Sequence, residues 1–314
     1  MDNASITLQI NVSPGDSAYL HQTIPALISK HRDHVDEVLL ILVLNRPQRT
    51  RLVDPTKRFP TPDFENRAQS VLNWARQAQS IKLVDRIEVA NPSSLEAGWV
   101  YDEFLGKLIS ETHDYGGSAL LSYFLAFSFC RTQYLLHYDA DILLYQDPDF
   151  AWPLKAISAL HSDPSLFSVS PRFAPPLELL AGPTRLSWPP FKKHPLGWTD
   201  RWFSTRCFLC EIEKISQLKP LIQGWLLLEI FVVKYMKRGF PRSPEVILSH
   251  RIKQAGGWRL ILEQPEAWYL HPQTKDADFR VVLPSLIQAI NKGHYPAGQA
   301  GYPDLNLDAW GYQN

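Results

Sequence analysis

The chain opens on an alternating, β-branched run, ITLQINV over residues 6–12, which is the pattern of a strand. Ser13-Pro14-Gly15-Asp16 follows as a turn with capping chemistry for the next element. Over residues 18–30, Leu20, Ile24, Leu27 and Ile28 recur at helical spacing and predict one apolar helix face. Residues 38–44, VLLILVL, are a continuous apolar run, as in a strand covered on both faces of a parallel sheet. Strand, helix and buried strand together predict a right-handed βαβ unit.

Further along, residues 46–63 are rich in Arg, Pro and Thr and predict a loop. Residues 64–80 align Ala68, Val71, Leu72 and Ala75 as a helix face, and 81–89 predict another strand. Residues 116–130 predict a helix opening on Gly116-Gly117-Ser118, whose first N–H groups can meet a phosphate. That stretch has neither P-loop nor dinucleotide spacing. Residues 134–138, YLLHY, predict a strand with Asp139-Ala140-Asp141 at its carboxyl end, where open α/β sheets bind ligands.

Between 147 and 198 prolines are dense (Pro171, Pro175, Pro176, Pro183, Pro189, Pro190, Pro195) and periodicity fades, which predicts long loops over the sheet. Residues 201–213 predict a strand leading into a helix. Residues 225–237 predict a helix stopping at Gly239, and 244–255 one with Pro244 in its first turn and Gly256-Gly257 at its exit. Residues 258–262 and 267–270 predict strands, the second leading to His271, and 283–290 a last helix before a Gly/Pro/Tyr-rich end.

With 314 residues, 45% hydrophobic and 20% charged, the chain suits one large α/β domain or two smaller ones. Lys plus Arg and Asp plus Glu both number 32, so net charge gives no case for a nucleic-acid partner or an anionic membrane. Cys130, Cys207 and Cys210 are too few for a disulfide framework, and a cytoplasmic setting is expected. Cys207 and Cys210 have CxxC spacing without a second pair, leaving a redox or zinc role against two ordinary semi-buried thiols. No secretory leader is visible. The longest apolar stretches, 119–129 and 225–233, are too short to span a bilayer and predict buried helices.

Asp139 and Asp141 are the sharpest chemical signal. Two carboxylates one residue apart at a strand end can turn toward one hard divalent cation, whose shell phosphate oxygens and water complete. The alternative is a pair of solvated turn carboxylates. His271, in Trp268-Tyr269-Leu270-His271-Pro272, could add a nitrogen in a mixed set suited to Mn2+, or be structural. Glu245 sits in a predicted first helical turn, where the dipole favours an acid; it is either that or a general base. Glu229 interrupts an apolar helix and competes for the base role.

In order and spacing, these segments resemble the GT-A glycosyltransferases, family 2-like. Residues 6–27 look like that family's opening strand, turn and helix; 134–144 (YLLHYDADILL) resemble its DxD strand; 243–256 (SPEVILSHRIKQAG) resemble its acidic, Leu-Ser-x-Arg helix; and 267–271 (AWYLH) resemble its closing segment. Asn45-Arg46 stand where an acidic pair is common, and Pro244 replaces the first acid of the later pair.

The resemblance implies a three-layer α/β sandwich with a mostly parallel central sheet, GT-A and Rossmann-like. It implies one domain over 1–275, with a nucleotide-binding half to about 145 and an acceptor half from 146, then a C-terminal helix and irregular tail over 276–314. It implies Asp139, Asp141 and His271 as ligands to Mn2+ or Mg2+, Glu245 as base of an inverting transfer, and Asn11, Asn45, Ser118 and Asp139 as contacts to a UDP- or GDP-sugar. The acceptor would be a glycan, a lipid-linked or a small molecule, without a transmembrane segment but with peripheral membrane contact open.

Two other enzymes fit less well. A sugar-1-phosphate nucleotidyltransferase would carry a basic, Gly-rich loop after the first strand, and a haloacid-dehalogenase-like phosphatase a Gly-Thr after the DxD. A relative that binds a nucleotide or glycan without transferring sugar is the alternative of a different class.

Overall fold

The computed structural model describes residues 4–177, 182–185, 190–236 and 241–312. The strands are β1 (Ile6–Val12), β2 (Glu37–Leu42), β3 (Arg86–Val89), β4 (Tyr134–Asp139), β5 (Leu143–Gln146), β6 (Leu166–Ser170), β7 (Lys192–His194), β8 (Gly197–Asp200), β9 (Cys207–Glu211), β10 (Trp258–Leu262) and β11 (Ala267–Leu270). The helices are α1 (Leu20–His31), α2 (Pro55–Arg58), α3 (Asp63–Ser80), α4 (Leu95–Trp99), α5 (Leu121–Phe129), α6 (Trp152–Ser162), α7 (Ile212–Ser216), α8 (Trp225–Tyr235), α9 (Pro244–Gln254) and α10 (Ala277–Asn291).

Nine strands form one sheet in the order β3-β2-β1-β4-β9-β6-β10-β8-β7. Seven run one way; β8 and β9 run against them. The first four strands are all parallel, and β1-α1-β2 is the βαβ unit that the opening pattern predicts. The fold is therefore the α/β sandwich with a mostly parallel sheet expected from the sequence.

Alternation along the strands divides the core. Val38, Leu40 and Leu42 of β2 join a cluster with α1, α3 and α6, whereas Leu39 and Ile41 join one with α5, α8 and α9. On β1 the first face is Ile6, Leu8, Ile10 and Val12, but the second is Thr7, Gln9 and Asn11, all buried. His137 of β4 adds to this polar file. Buried polar groups of this kind need partners, and they run toward the carboxyl ends of the strands.

Several expectations need correction. The stretch 147–198 is not loop throughout, for it holds α6, β6, β7 and β8, with β6 inside the sheet. Ala156, Ile157 and Leu160 are a helical core face, and every residue of β6 is buried; the prolines lie mostly outside these elements. Pro189 lies outside the described residues. At the turn into β8, a Cβ on Gly197 would collide with the Ile261 carbonyl, so only glycine allows this close pairing.

Helix α5 begins at Leu121 rather than on the glycines. Residues 225–233 are not a buried helix, because one face of α8 is exposed; Lys237 and Gly239, its expected end, lie outside the described residues. The last helix starts at Ala277, well before 283, capped by the Asp276 side chain on the Phe279 N–H. It packs Phe279, Leu283 and Ile290 with Tyr19, Leu143, Trp268 and Leu270 in a third cluster. Cys207 and Cys210, three apart on β9, point to opposite core clusters. Burial pushes both thiols well above the usual range, so they are packed side chains and not a redox or zinc pair.

Candidate active site

Strand pairing assembles a cleft of about 320 Å3 at the carboxyl ends of β1, β2 and β4. Asn11 is in register with Asp139 across β1 and β4. The antiparallel pairing of Leu143 with Leu270 sets His271 beside Asp141, although the two are far apart in sequence. Asn11, Asn45, Ser118, Asp139, Asp141 and His271 all line this one cleft.

The two aspartates differ in their engagements. Asp139 Oδ1 accepts from the Tyr123 hydroxyl at 2.6 Å and lies 3.4 Å from His137 Nε2. Asp141 is almost wholly buried, yet its Oδ1 has no hydrogen-bond partner, while Oδ2 is ion-paired with Lys275 and lies 3.6 Å from His271 Nε2. The other imidazole nitrogen, Nδ1, lies 3.5 Å from Asp304 Oδ1 and is buried without a hydrogen bond among the described residues.

Among the described residues, no group of three His, Cys, Asp or Glu side chains is gathered to hold an ion. The expected trio of Asp139, Asp141 and His271 therefore shares the cleft without forming a ready ligand cage. A hard cation still fits Asp141 and His271. An orphaned buried carboxylate oxygen and a nearby imidazole offer oxygen and nitrogen donors, and substrate oxygens and water can supply the rest.

Charge in the cleft is mainly negative. Asp16 joins Asp139 and Asp141 on the lining, against the single Lys275 amine. Burial, with Asp141 nearby, raises the Asp16 carboxyl to about 6. Asp16 accepts from the Ser13 N–H and hydroxyl at 2.7 and 2.9 Å and from the Tyr19 hydroxyl, which locks the turn after β1 as a capping box.

Asn11 accepts from Gln9 at 3.0 Å, and its Nδ2 is buried without a partner. Asn45 donates to the Ala90 carbonyl at 2.8 Å, which fixes its side chain beside Pro47, Phe59 and Phe64 on the lining. Ser118 is not at a helix N-terminus. Its N–H donates to Asp114 Oδ1 at 2.9 Å, as does that of Gly116, so those groups are spoken for.

Glu245 stands behind the cleft rather than on its lining, at the second position of α9 after Ser243 and Pro244. It accepts from the Thr205 hydroxyl at 3.1 Å, and Thr205 also lies beside the Tyr123 hydroxyl. Tyr123 and Thr205 thus connect Glu245 to Asp139. Burial raises the Glu245 carboxyl, the Thr205 hydrogen bonds oppose this, and Asp139 adds to it. Glu229 instead pairs with Arg242 and is absent from the cleft, so it is a salt-bridge partner and not the competing base.

Sequence reading missed Lys275, Tyr123 and Thr205, and took Asp16 only as a capping residue. Lys275 sits in an irregular stretch without a pattern, and Tyr123 is masked inside an apolar helix.

No family model matches this chain, and no curated protein does. Among solved structures it is similar to glucosyl-3-phosphoglycerate synthase from Mycobacterium tuberculosis in complex with Mn2+, UDP and glucosyl-3-phosphoglycerate, at 12% identity and a TM-score of 0.34, over 91% of this chain and 77% of that one. The same synthase with Mg2+ and UDP gives 12% identity and a TM-score of 0.34, over 94% and 82%. A further mycobacterial protein gives 12% and 0.34, over 91% and 73%. These likenesses are too distant to carry an argument, and the functional reading rests on the chain's own residues.

Proposed function

We propose that this chain is a glycosyltransferase moving a sugar from a nucleotide-diphosphate sugar to an acceptor hydroxyl with a divalent cation, Mn2+ or Mg2+. The observation that carries the reading is the convergence of Asn11, Asn45, Asp139, Asp141 and His271 in one cleft, with a buried Asp141 oxygen lacking a partner. UDP- and GDP-sugars are the donors to test. A glycan, a lipid-linked alcohol or a small hydroxyl compound is the acceptor class.

The cleft has two ends. Pro47, Phe59 and Phe64 with the fixed Asn45 amide offer an apolar slot with a polar handle, as a nucleobase requires. Asp141 and His271 at the other end would hold the cation, and Lys275 offers an amine to the same diphosphate. When bound, a divalent cation neutralises charge gathering on a departing diphosphate. Glu245 is the base, and because it stands off the cleft lining the proton of the acceptor hydroxyl reaches it through the Tyr123 and Thr205 hydroxyls. The acceptor oxygen attacks the anomeric carbon from the face opposite the departing nucleoside diphosphate, inverting it. The hydrogen bonds through Thr205 and Tyr123 hold the base in place relative to Asp139.

The Lys275–Asp141 ion pair favours one second reading, since a lysine already neutralises the carboxylate a cation would use. In that case the protein binds a nucleotide without transfer. Incubation with UDP- and GDP-sugars and Mn2+ separates the two. Release of nucleoside diphosphate that disappears in Asp141→Ala supports the transferase; nucleotide binding with no release from any donor, with or without acceptors, supports the binder.

A further inference from the structure

Helix α8 is only half built into the core. Leu226 and Ile230 are buried in the second cluster. Trp225, Leu228, Phe231, Val232 and Tyr235 face outward, with 74%, 56%, 55%, 57% and 90% of their surfaces exposed. Trp225, Leu228, Val232 and Tyr235 stand at i, i+3, i+7 and i+10, one stripe along the helix, and Phe231 widens it. Single exposed hydrophobics are ordinary, but a continuous stripe of five on one short helix marks an interaction surface.

The chemistry of the stripe and its rim points to one occupant. An indole stands at one end and a phenol at the other, with Leu, Phe and Val between; Trp and Tyr favour the zone between headgroups and acyl chains. Val233 and Lys234 share a groove of about 520 Å3 with Arg49 and Arg51; Glu111, which pairs with Lys234 at 3.1 Å, and Asp114 line it too, so the two arginines carry its excess positive charge. Arg51 makes no ion pair among the described residues, and Arg49 makes one long contact of 3.4 Å, to Asp54, with 78% of its side chain exposed. An apolar stripe edged by Arg51, unpaired among the described residues, and the largely exposed Arg49 matches an anionic headgroup layer over acyl chains. A second copy docked two-fold across the stripe would bring the Arg49 and Arg51 side chains of both copies to one seam. Among the described residues no helix is long and apolar enough to cross a membrane, so α8 can lie on a bilayer but cannot span it.

We infer that α8 docks this protein on the surface of an anionic bilayer, with its outward stripe inserted at the headgroup boundary. His113 lines both the basic groove and the main cleft, so the bound face adjoins the proposed active site. The docking does not depend on the reaction assigned to that cleft, and its test involves no turnover.

The test is sedimentation of the full chain with vesicles of phosphatidylcholine, alone or mixed with phosphatidylglycerol, at low and high salt. Binding should favour the anionic vesicles and weaken with salt. The double variant Leu228→Ser, Phe231→Ser should lower vesicle affinity at least about tenfold, and Arg49→Ser with Arg51→Ser should lower it on anionic vesicles more than on neutral ones. Unchanged far-UV dichroism and thermal midpoint control for folding of both variants. No vesicle binding by the parent chain, or equal binding by the Leu228→Ser, Phe231→Ser variant, overturns the inference. So does a lipid-free dimer in sedimentation velocity that the same variant converts to monomer, since a second copy then covers the stripe.

Discussion

Lys275 is ion-paired with Oδ2 of Asp141, while Oδ1 of the same carboxylate is buried and has no hydrogen-bond partner. One side chain thus carries a neutralised oxygen and an unsatisfied one. An amine and a divalent cation compete for the first, and the second favours the cation, because a buried acceptor without a partner is costly. Lys275 can leave Asp141 for a diphosphate when a cation arrives, so ion and nucleotide are expected to bind together more tightly than either alone.

This exchange predicts opposite effects of one substitution. Lys275→Met should raise Mn2+ affinity in the absence of nucleotide by roughly tenfold, since a competing positive charge beside the carboxylate is gone. The same variant should bind UDP or GDP more weakly in chelator. Calorimetric titration with Mn2+ alone and with nucleotide alone reads both; a variant that loses Mn2+ affinity would mean that Lys275 supports the ion and does not compete with it.

The two aspartates should separate in stability as well as in binding. Asp139 holds the Tyr123 hydroxyl and stands beside buried His137, so Asp139→Ala leaves the tyrosine hydroxyl without its acceptor and should cost about 1–3 kcal/mol. Asp141→Ala removes a charge that lies near the buried Asp16 carboxyl, and should leave urea stability within about 1 kcal/mol of the parent. Both variants should lose cation-dependent nucleotide binding. Equal destabilisation by the two would place Asp141 in the structural framework.

How far the sequence foretold this site depends on which forces leave a trace in a linear pattern. Ile6–Val12 and the apolar run through β2 read correctly, because burial on a sheet imposes period two or unbroken hydrophobicity. Asp139 and Asp141 were legible because they end such a strand. His271 was placed beside them by family resemblance, and the structure supplies the physical cause in the β5–β11 pairing. Lys275 was not legible, since a loop lysine acquires meaning only through the carboxylate it meets. Ser118 misled, because paired glycines suggested a helix start, whereas Asp114 holds them in a turn. The apolar composition of α8 suggested burial, but composition does not tell which neighbour covers a face.

Stability against acid should carry the mark of His31. Its ring is fully buried, bonded to the Tyr138 hydroxyl at 2.8 Å and stacked on that ring. Burial, with the nearby His34 and Lys30 charges, holds its pKa down to about 3 from an ordinary 6.5. Below about pH 6.5 the unfolded chain therefore takes up a proton that the folded chain refuses, so the contribution of His31 is lost as pH falls toward about 3. Asp16, raised to about 6, acts in the opposite direction over part of that window, so the total slope mixes several groups. The difference between the parent and His31→Gln isolates the histidine. In urea titrations their stability gap should narrow by about 1 kcal/mol per pH unit between about pH 6 and 4; a gap independent of pH would show that His31 is protonated equally in both states.

Glu245 should set the acid limb of the rate profile. A base must be ionised, so turnover should rise with pH through the pKa of Glu245 and be lost below it. Burial raises that pKa above the ordinary glutamate value and Asp139 adds to the rise, while hydrogen bonds from Thr205 hold it back. Thr205→Val removes the hydroxyl that supports the carboxylate and relays the proton, so it should move the acid limb to higher pH and lower kcat on the alkaline side. Glu245→Gln should lower kcat about 100- to 10,000-fold above the acid limb and abolish the limb itself, with donor affinity within about twofold of the parent, because the side chain stands behind the cleft and off its lining. A limb that stays in place in Thr205→Val, or turnover that survives in Glu245→Gln, would assign the proton transfer to a different group.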